Sequence, residues 1–273
     1  MILKENIEMQ VDANRQIIWL LIGAPFELHC SYKTICNFYD SLNIISETVA
    51  KENIKQMILV SANKKVWNMG GDLEMFSNSI LQQNESLIKD YAYKCIEVLT
   101  VINKRFYSDV IITFFVQGNA FGGGFECVLS GDYVIAEEHT KFSFPEVLFG
   151  ILPGMGAYSF LARKIGVANA DEIVNSGRKW TAKEMQQMGL VDFVCDKGQS
   201  VETVLDKIEN GELTHDNNFK KVSCQVPLAE LKQIVDIWLN NILKLDTPQI
   251  LYMQKIVRAQ KIKAMQWEVG SSW

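Results

Sequence analysis

A chain of 273 residues that is 48% apolar and 22% charged, with 17 Gly and 5 Pro, has an ordinary globular composition, which excludes collagen-like, low-complexity and disordered classes. The formal charge of −5, from 27 Lys+Arg against 32 Asp+Glu, comes without a basic run to track phosphates, so no nucleic-acid partner is expected. Neither a signal peptide nor a membrane segment is read: Met1–Glu8 mixes charges, and the longest apolar runs, Ile17–Ile22 and Val110–Val116, suit buried strands. Six scattered cysteines without a Cys-x-x-Cys pair read as reduced thiols of a cytoplasmic protein. His29, His139 and His215 lack metal-ligand spacing, so no metal is expected.

In chain order, Arg15–Ile22 reads as a strand and Tyr32–Leu42 as the start of a helix. Gln56–Ser61 is a short apolar run of the kind covered on both faces of a parallel sheet. Ile88, Tyr91, Cys95, Val98 and Ile102 recur at three- and four-residue steps and predict an amphipathic helix. Val110–Gln117 is the next buried strand, and after the glycines at 118–124 a helical pattern resumes in Phe125–Leu129. Asp132–Ala136 and Val191–Cys195 give further short strands, and the polar stretch Gly198–Asn218 reads as a loop. Pro227 opens a helix from a first-turn position, with Leu231, Ile234, Val235, Trp238 and Ile242 on its apolar face. A last helix follows Thr247-Pro248, with Ile250, Leu251, Ile256 and Val257 expected in the core. Strands alternating with helices predict an α/β body over residues 1–200 and a helical region over 201–273.

No nucleophile elbow, P-loop or His-Glu-x-x-His is present, and Gly154-Met155-Gly156 starts a dinucleotide fingerprint without its third glycine. The informative stretch is the strand to Gln117, the glycines 122–124 and Glu126. A strand that stops at glycines and turns into a helix leaves N–H groups without intrahelical acceptors; this suits a negative oxygen, or a structural turn and nothing more. Gly70-Gly71, after the strand Gln56–Ser61, offers a second amide, and two amides on one oxygen make an oxyanion hole. Two carboxylates favour the chemical reading. Glu126 stands in the first turn after the glycines. Glu146 is set among Phe142, Phe144, Val147, Leu148 and Phe149, where ionisation is disfavoured and a raised pKa suits proton transfer. Asp72 fits a helix cap and a site residue equally. Lys64 and Lys65 read as solvated lysines, with a contact to a carrier's phosphates as the alternative.

The segments Trp67–Leu73, Gln117–Glu126 and Pro145–Gly154, in that order and with the glutamates 20 residues apart, resemble the crotonase (enoyl-CoA hydratase/isomerase) superfamily. Met188–Asp192 resembles it too. Within it, Asn68–Leu73, Pro153–Phe160 and the C-terminal pattern Pro227-Leu228, Ile237-Trp238 and Val257–Gln260 are similar to the RpfF-type synthases of diffusible signal factors, which make cis-2-unsaturated fatty acids. The resemblance implies a ββα spiral core, C-terminal helices that wall the pocket and serve oligomerisation, and a homotrimer or dimer of trimers. It implies that the amides of Gly71 and Gly123 bind a thioester oxygen and that Glu126 and Glu146 form an acid/base pair. Gly70, Gly122, Met155 and Trp238 would line the substrate pocket. The implied reaction is dehydration of a 3-hydroxyacyl thioester, carried by acyl carrier protein or coenzyme A, then hydrolysis to a 2-unsaturated acid, without a metal or redox cofactor. A conventional enoyl-CoA hydratase/isomerase and a non-catalytic acyl-thioester binder are the alternatives. Phe121, Phe142 and Phe144 depart from the signal-synthase pattern, and bulky rings near the site would either shorten the acyl chain accepted or change the cis/trans outcome.

Overall fold

Uninterrupted apolar runs supply the strands at the centre of the fold. In the computed structural model, which describes residues 1–214 and 222–270, the strands are β1 (Ile2–Lys4), β2 (Ile7–Asp12), β3 (Ile17–Ile22), β4 (Gln56–Ser61), β5 (Val66–Asn68), β6 (Ile111–Val116), β7 (Asn119–Phe121), β8 (Tyr133–Glu137), β9 (Lys141–Ser143), β10 (Trp180–Thr181) and β11 (Phe193–Cys195). The larger sheet runs β1-β2-β3-β4-β6-β8-β11 and the smaller β10-β9-β7-β5. Pairing is parallel from β3 through β11 in the first sheet and from β5 through β9 in the second. Each spiral turn therefore gives one strand to each sheet: β4 then β5, β6 then β7, β8 then β9. The step from β6 to β7 passes so close to the previous turn that a side chain at Gly118 would begin 2.7 Å from the Lys65 carbonyl. Only glycine fits there.

Helices follow where the strands end. They are α1 (Tyr32–Lys51), α2 (Leu73–Leu81), α3 (Glu85–Asn103), α4 (Gly123–Leu129), α5 (Ala157–Ile165), α6 (Val167–Ser176), α7 (Ala182–Gln187), α8 (Ser200–Glu209), α9 (Leu228–Ile242) and α10 (Thr247–Gly270). Ser31 caps α1 by accepting from the Thr34 amide, and Ile35, Phe38, Leu42, Ile45 and Val49 form its buried stripe. On α3 the predicted face Ile88, Tyr91, Cys95, Val98 and Ile102 is buried throughout. These helices cover one face of the larger sheet, and the core they share runs on into Leu231, Val235, Leu239 and Ile242 of α9. The other face carries Ile17, Ile58, Phe115 and Ile135 under Val204 and Leu213.

The α/β class is as expected, and several local expectations are corrected. Part of the stretch read as loop, 198–218, is α8: its polar surface hides Val204, fully buried against the sheet, while 215–218 and His215 lie outside the described residues. A further strand, β2, pairs antiparallel with β3, burying Ile7 and Met9 while Glu8 and Gln10 alternate to the other face. Pro227 is the residue before α9 rather than within its first turn. On α10 Ile250 is buried and Ile256 and Val257 half-buried as expected, but Leu251 is 56% exposed and Met253 is buried in its place. Among the described residues no helix is long and apolar enough to cross a membrane.

Between α3 and β6 three consecutive residues, Arg105, Phe106 and Tyr107, have φ near +50° to +60°, a left-handed turn that each side chain resists. Asp132 holds it: its oxygens accept from Arg105 Nε at 2.9 Å and Nη2 at 2.6 Å, and from the Ile112 amide at 2.9 Å. Replacing Asp132 by Ala takes the carboxylate from a largely buried guanidinium and releases the turn. A loss of about 3 kcal/mol or more is expected in chemical denaturation. A loss below about 1 kcal/mol would show that the turn holds itself.

Candidate active site

The first glycine site is built as an extra strand-like pairing. Beyond β5 the Met69 amide donates to the Leu28 carbonyl at 2.6 Å and the Cys30 amide to the Gly70 carbonyl at 2.9 Å. The Asn68 side chain accepts from the Gly70 amide at 2.7 Å. Asp72 then caps α2, accepting from the Met75 amide at 2.9 Å. Its role is the cap: it does not border the cavity described below.

The second glycine site ends β7. Gly122, at φ +51° and ψ −130°, turns the chain into α4 while its amide donates to the Ser143 carbonyl at 2.9 Å. The Gly123 N–H then falls at the first position of the helix, where no intrahelical acceptor exists. Among the described residues the N–H groups of Gly71 and Gly123 carry no hydrogen bond. They are neighbours: a Cβ placed on Gly123 would lie 3.8 Å from the Gly71 nitrogen, and one on Gly70 would lie 3.5 Å from the Gly123 nitrogen. A Cβ at Gly122 or Gly123 would begin 2.6 Å from Glu146 Oε1 or 2.4 Å from the Met155 methyl, so either site group would have to move, and Gly122 also has a positive φ.

Glu126 sits on the first turns of α4 and is 2% exposed. Its Oε1 accepts from the amides of Met155 at 2.8 Å and Ala157 at 3.0 Å. The truncated fingerprint Gly154-Met155-Gly156 is therefore an amide cradle for this carboxyl. Burial pushes the pKa of Glu126 up to about 7, with the cradle opposing the rise. Glu146 lies on the short 3₁₀ turn Pro145–Phe149. Its Oε2 is buried with no hydrogen-bond partner. Burial, with Glu126 beside it, pushes its pKa up to about 8.

Both carboxyls and both amides border one cavity of about 300 Å³. All eight residues singled out from the sequence line it: Gly70, Gly71, Gly122, Gly123, Glu126, Glu146, Met155 and Trp238. Trp238 reaches it from α9, its ring packed over Gly154 and edge-on to Phe76 at 5.5 Å. Sequence reasoning missed Phe76, Tyr91, Lys179 and Tyr252, which also line it. Tyr91 lies on a helix face whose periodicity reads as plain core, Phe76 lies on α2 just after the first glycine site, and Lys179 and Tyr252 arrive from distant segments with no local signal. Two departures are corrected. Phe142 and Phe144 pack on Phe125 at ring distances of 5.1 and 4.9 Å, beneath α4 and away from the cavity, whereas Phe121 does line it. Lys64 and Lys65 are exposed and do not border the cavity.

The fold has counterparts among known proteins. The family described as enoyl-CoA hydratase/isomerase matches residues 31–222, and the chain belongs to it. Among solved structures the chain is similar to an enoyl-CoA hydratase from Bacillus halodurans, with a TM-score of 0.76 and 19% identity over 92% of this chain and 99% of that one. It is similar to an enoyl-CoA hydratase/isomerase from Mycobacterium paratuberculosis, with a TM-score of 0.71 and 15% identity over 93% and 99%. DspI from Pseudomonas aeruginosa also superposes, with a TM-score of 0.65 and 18% identity over 87% and 86%. At these identities the likeness is one of fold.

The raised carboxyls burden the fold in a pH-dependent way. Above the ordinary value of 4.5 an unfolded chain has lost these protons while the folded chain keeps them, so stability from this pair falls as pH rises from about 4.5 to about 7–8. Glu146→Gln removes one such charge. It should raise Tm at pH 9 by a few degrees and change it little at pH 4.5 in scanning calorimetry. An equal shift at both values would contradict the burial of the charged form.

Proposed function

We propose that the chain acts on C2 and C3 of an acyl thioester, removing water from a 3-hydroxyacyl substrate. One observation carries this reading: the buried carboxyl of Glu126 and the half-buried one of Glu146, its Oε2 enclosed, both with raised pKa values, border the same apolar cavity as two unpaired amides. The substrate's α-hydrogen is weakly acidic, and its removal sends charge onto the thioester oxygen. The amides of Gly71 and Gly123 meet that oxygen without having to reorganise, and each such donor contributes about 3–4 kcal/mol to the transition state. One glutamate accepts the α-proton as carboxylate; the other, as acid, protonates the 3-hydroxyl as its C–O bond breaks and water leaves. The same groups run the reverse addition of water.

The cycle needs one proton on the pair. The Met155 and Ala157 amides favour the ionised form of Glu126, while Glu146 Oε2 has no donor to support a charge. The resting state is therefore one carboxylate and one acid. Below about 7 both become protonated, and above about 8 both ionise. A narrow bell-shaped profile of kcat between these limits is expected. A flat profile from pH 5 to 9 would overturn the pairing.

Similarity to the RpfF-type synthases extends the reading: the 2-enoyl thioester is then hydrolysed, water attacking the carbonyl and the carrier leaving as its thiol, to release a 2-unsaturated acid. What supports this step is resemblance alone, that of Asn68–Leu73 and Pro153–Phe160. Incubation with 3-hydroxyacyl thioesters of acyl carrier protein and of coenzyme A, followed by mass spectrometry, tests both steps. Free unsaturated acid supports the synthase, and intact enoyl thioester alone supports the conventional hydratase. Glu126→Ala and Glu146→Ala should each lower turnover by at least about 100-fold with the fold retained. Undiminished turnover in either would remove the mechanism.

A further inference from the structure

We propose that Tyr91 is a positioning residue for the oxyanion site, its hydroxyl holding the Gly70–Gly71 segment in place through the main chain of Cys30. The inference rests on the reading of the site given above and concerns what keeps the Gly71 amide where that reading needs it.

The Gly70–Gly71 segment belongs to no sheet. Its in-plane support comes from residues 28–30, which are themselves outside any regular strand: Met69 donates to the Leu28 carbonyl, Cys30 donates to the Gly70 carbonyl, and Cys30 pairs with Gly71 as an isolated parallel bridge. A single bridge without flanking ladder is weakly specified in register. Tyr91 supplies the missing anchor. From the buried face of α3 its hydroxyl donates to the Cys30 carbonyl at 2.8 Å, so Cys30 is gripped by Gly70 through its amide and by α3 through its carbonyl. The same ring backs the amide it positions. The Tyr91 oxygen lies 3.6 Å from where a Gly71 side chain would begin, and Phe76, edge-on to Tyr91 at 5.2 Å, lies 2.9 Å from that point.

The bond is also durable. Tyr91 is 2% exposed, and burial with the neighbouring Cys95 and Cys30 thiols pushes its phenol well above the ordinary range, so it remains a donor at every pH at which the glutamates work. A phenylalanine fills the same space without a donor, and a buried carbonyl that loses its partner lets its segment move.

Tyr91→Phe is the test, with Tyr93→Phe as control on the same helix, where the hydroxyl meets the exposed Asp236 at 2.7 Å. Hydrogen–deuterium exchange of the peptide over residues 66–72 reads the position of the segment without any substrate. Exchange should speed up about 10-fold in Tyr91→Phe and not in Tyr93→Phe. With 3-hydroxyacyl thioester, kcat should fall about 10- to 100-fold in Tyr91→Phe, KM should move less than about threefold, and the pH optimum should stay, since a displaced donor weakens the transition state and leaves the glutamates alone. Unchanged exchange in Tyr91→Phe overturns the proposal, as does unchanged kcat in an enzyme that turns over. Faster exchange in a chain inactive even as wild type sustains the anchor and overturns the reading of the site instead.

Discussion

The parallel pairing of two three-residue strands, β5 and β7, is the constraint from which the site follows. Val66 stands opposite Asn119 and Asn68 opposite Ala120, so both chains leave the small sheet at the same edge and each reaches its glycines there. That register brings the nitrogens of Gly71 and Gly123 near one another, and the Asn68 side chain and Cys30 main chain hold the first loop there through Gly70. A slip of one residue would move every side chain to the other face and separate the amides. Gly118, pressed against the Lys65 carbonyl, and Gly124, whose missing side chain leaves room for Asn68, fix the spacing between successive turns of the spiral. The packing that closes the core thus places the electrophilic donors.

On this frame the carboxyls are placed at a cost. Moving an ionised carboxylate out of water is opposed by several kcal/mol, and the chain offsets that for one glutamate only. Glu126 receives two amides from the start of α5, which is why its carboxyl stays nearer the ionising range. Glu146 receives none at Oε2 and leans on the Gly122 backbone. The inequality suits the proton transfer proposed for the pair. Two equally solvated acids would both ionise at neutral pH, and two equally bare ones would both stay neutral. The burden on stability is concentrated at two side chains and carried by a core that runs unbroken from α1 to α9.

Local chemistry made much of this legible in the sequence. A strand ending in Gly122-Gly123-Gly124 with Glu126 behind it, and Glu146 amid phenylalanines, are short-range patterns, and each residue lies where such a pattern puts it. The flanking rings misled in detail: Phe142 and Phe144 alternate along a strand into the layer beneath α4, so proximity in sequence to Glu146 was not proximity to the cavity. Tyr91 escaped because a buried tyrosine on a helix stripe looks like any core residue until its hydroxyl is followed to Cys30, 61 positions away. Lys179 and Tyr252 reach the cavity only through the folded topology. The helix at Ser200–Glu209 was hidden by its exposed polar residues, which outnumber the single fully buried Val204.

The far wall of the cavity has a different character from its floor. The floor is backbone and strand ends tied by hydrogen bonds; the wall is α9 and α10, which meet the core through side chains. Trp238 rests on the flat face that Gly154 leaves, and a Cβ at that glycine would begin 2.3 Å from the indole. Gln249 ties α10 to the turn bearing Glu146 through the Phe149 carbonyl at 3.1 Å, and Lys261 reaches Glu74 on α2 at 2.7 Å, both ends exposed. The second contact is worth little in water, the first rather more. What holds α10 is therefore chiefly Met253 and the half-buried Ile256 packed toward the core, with Ile250 buried as well, while α9 is held by Leu231, Val235, Leu239 and Ile242. An acyl chain entering the cavity would lie against Trp238, Tyr252 and Ile256 and add apolar contact to that same seam. The groups of the proposed reaction are thus mounted on strand ends and helix starts tied by backbone hydrogen bonds, while the enclosing helices α9 and α10 are held by apolar packing with a few polar ties, Glu230 to Arg163, Gln249 to Phe149 and Lys261 to Glu74.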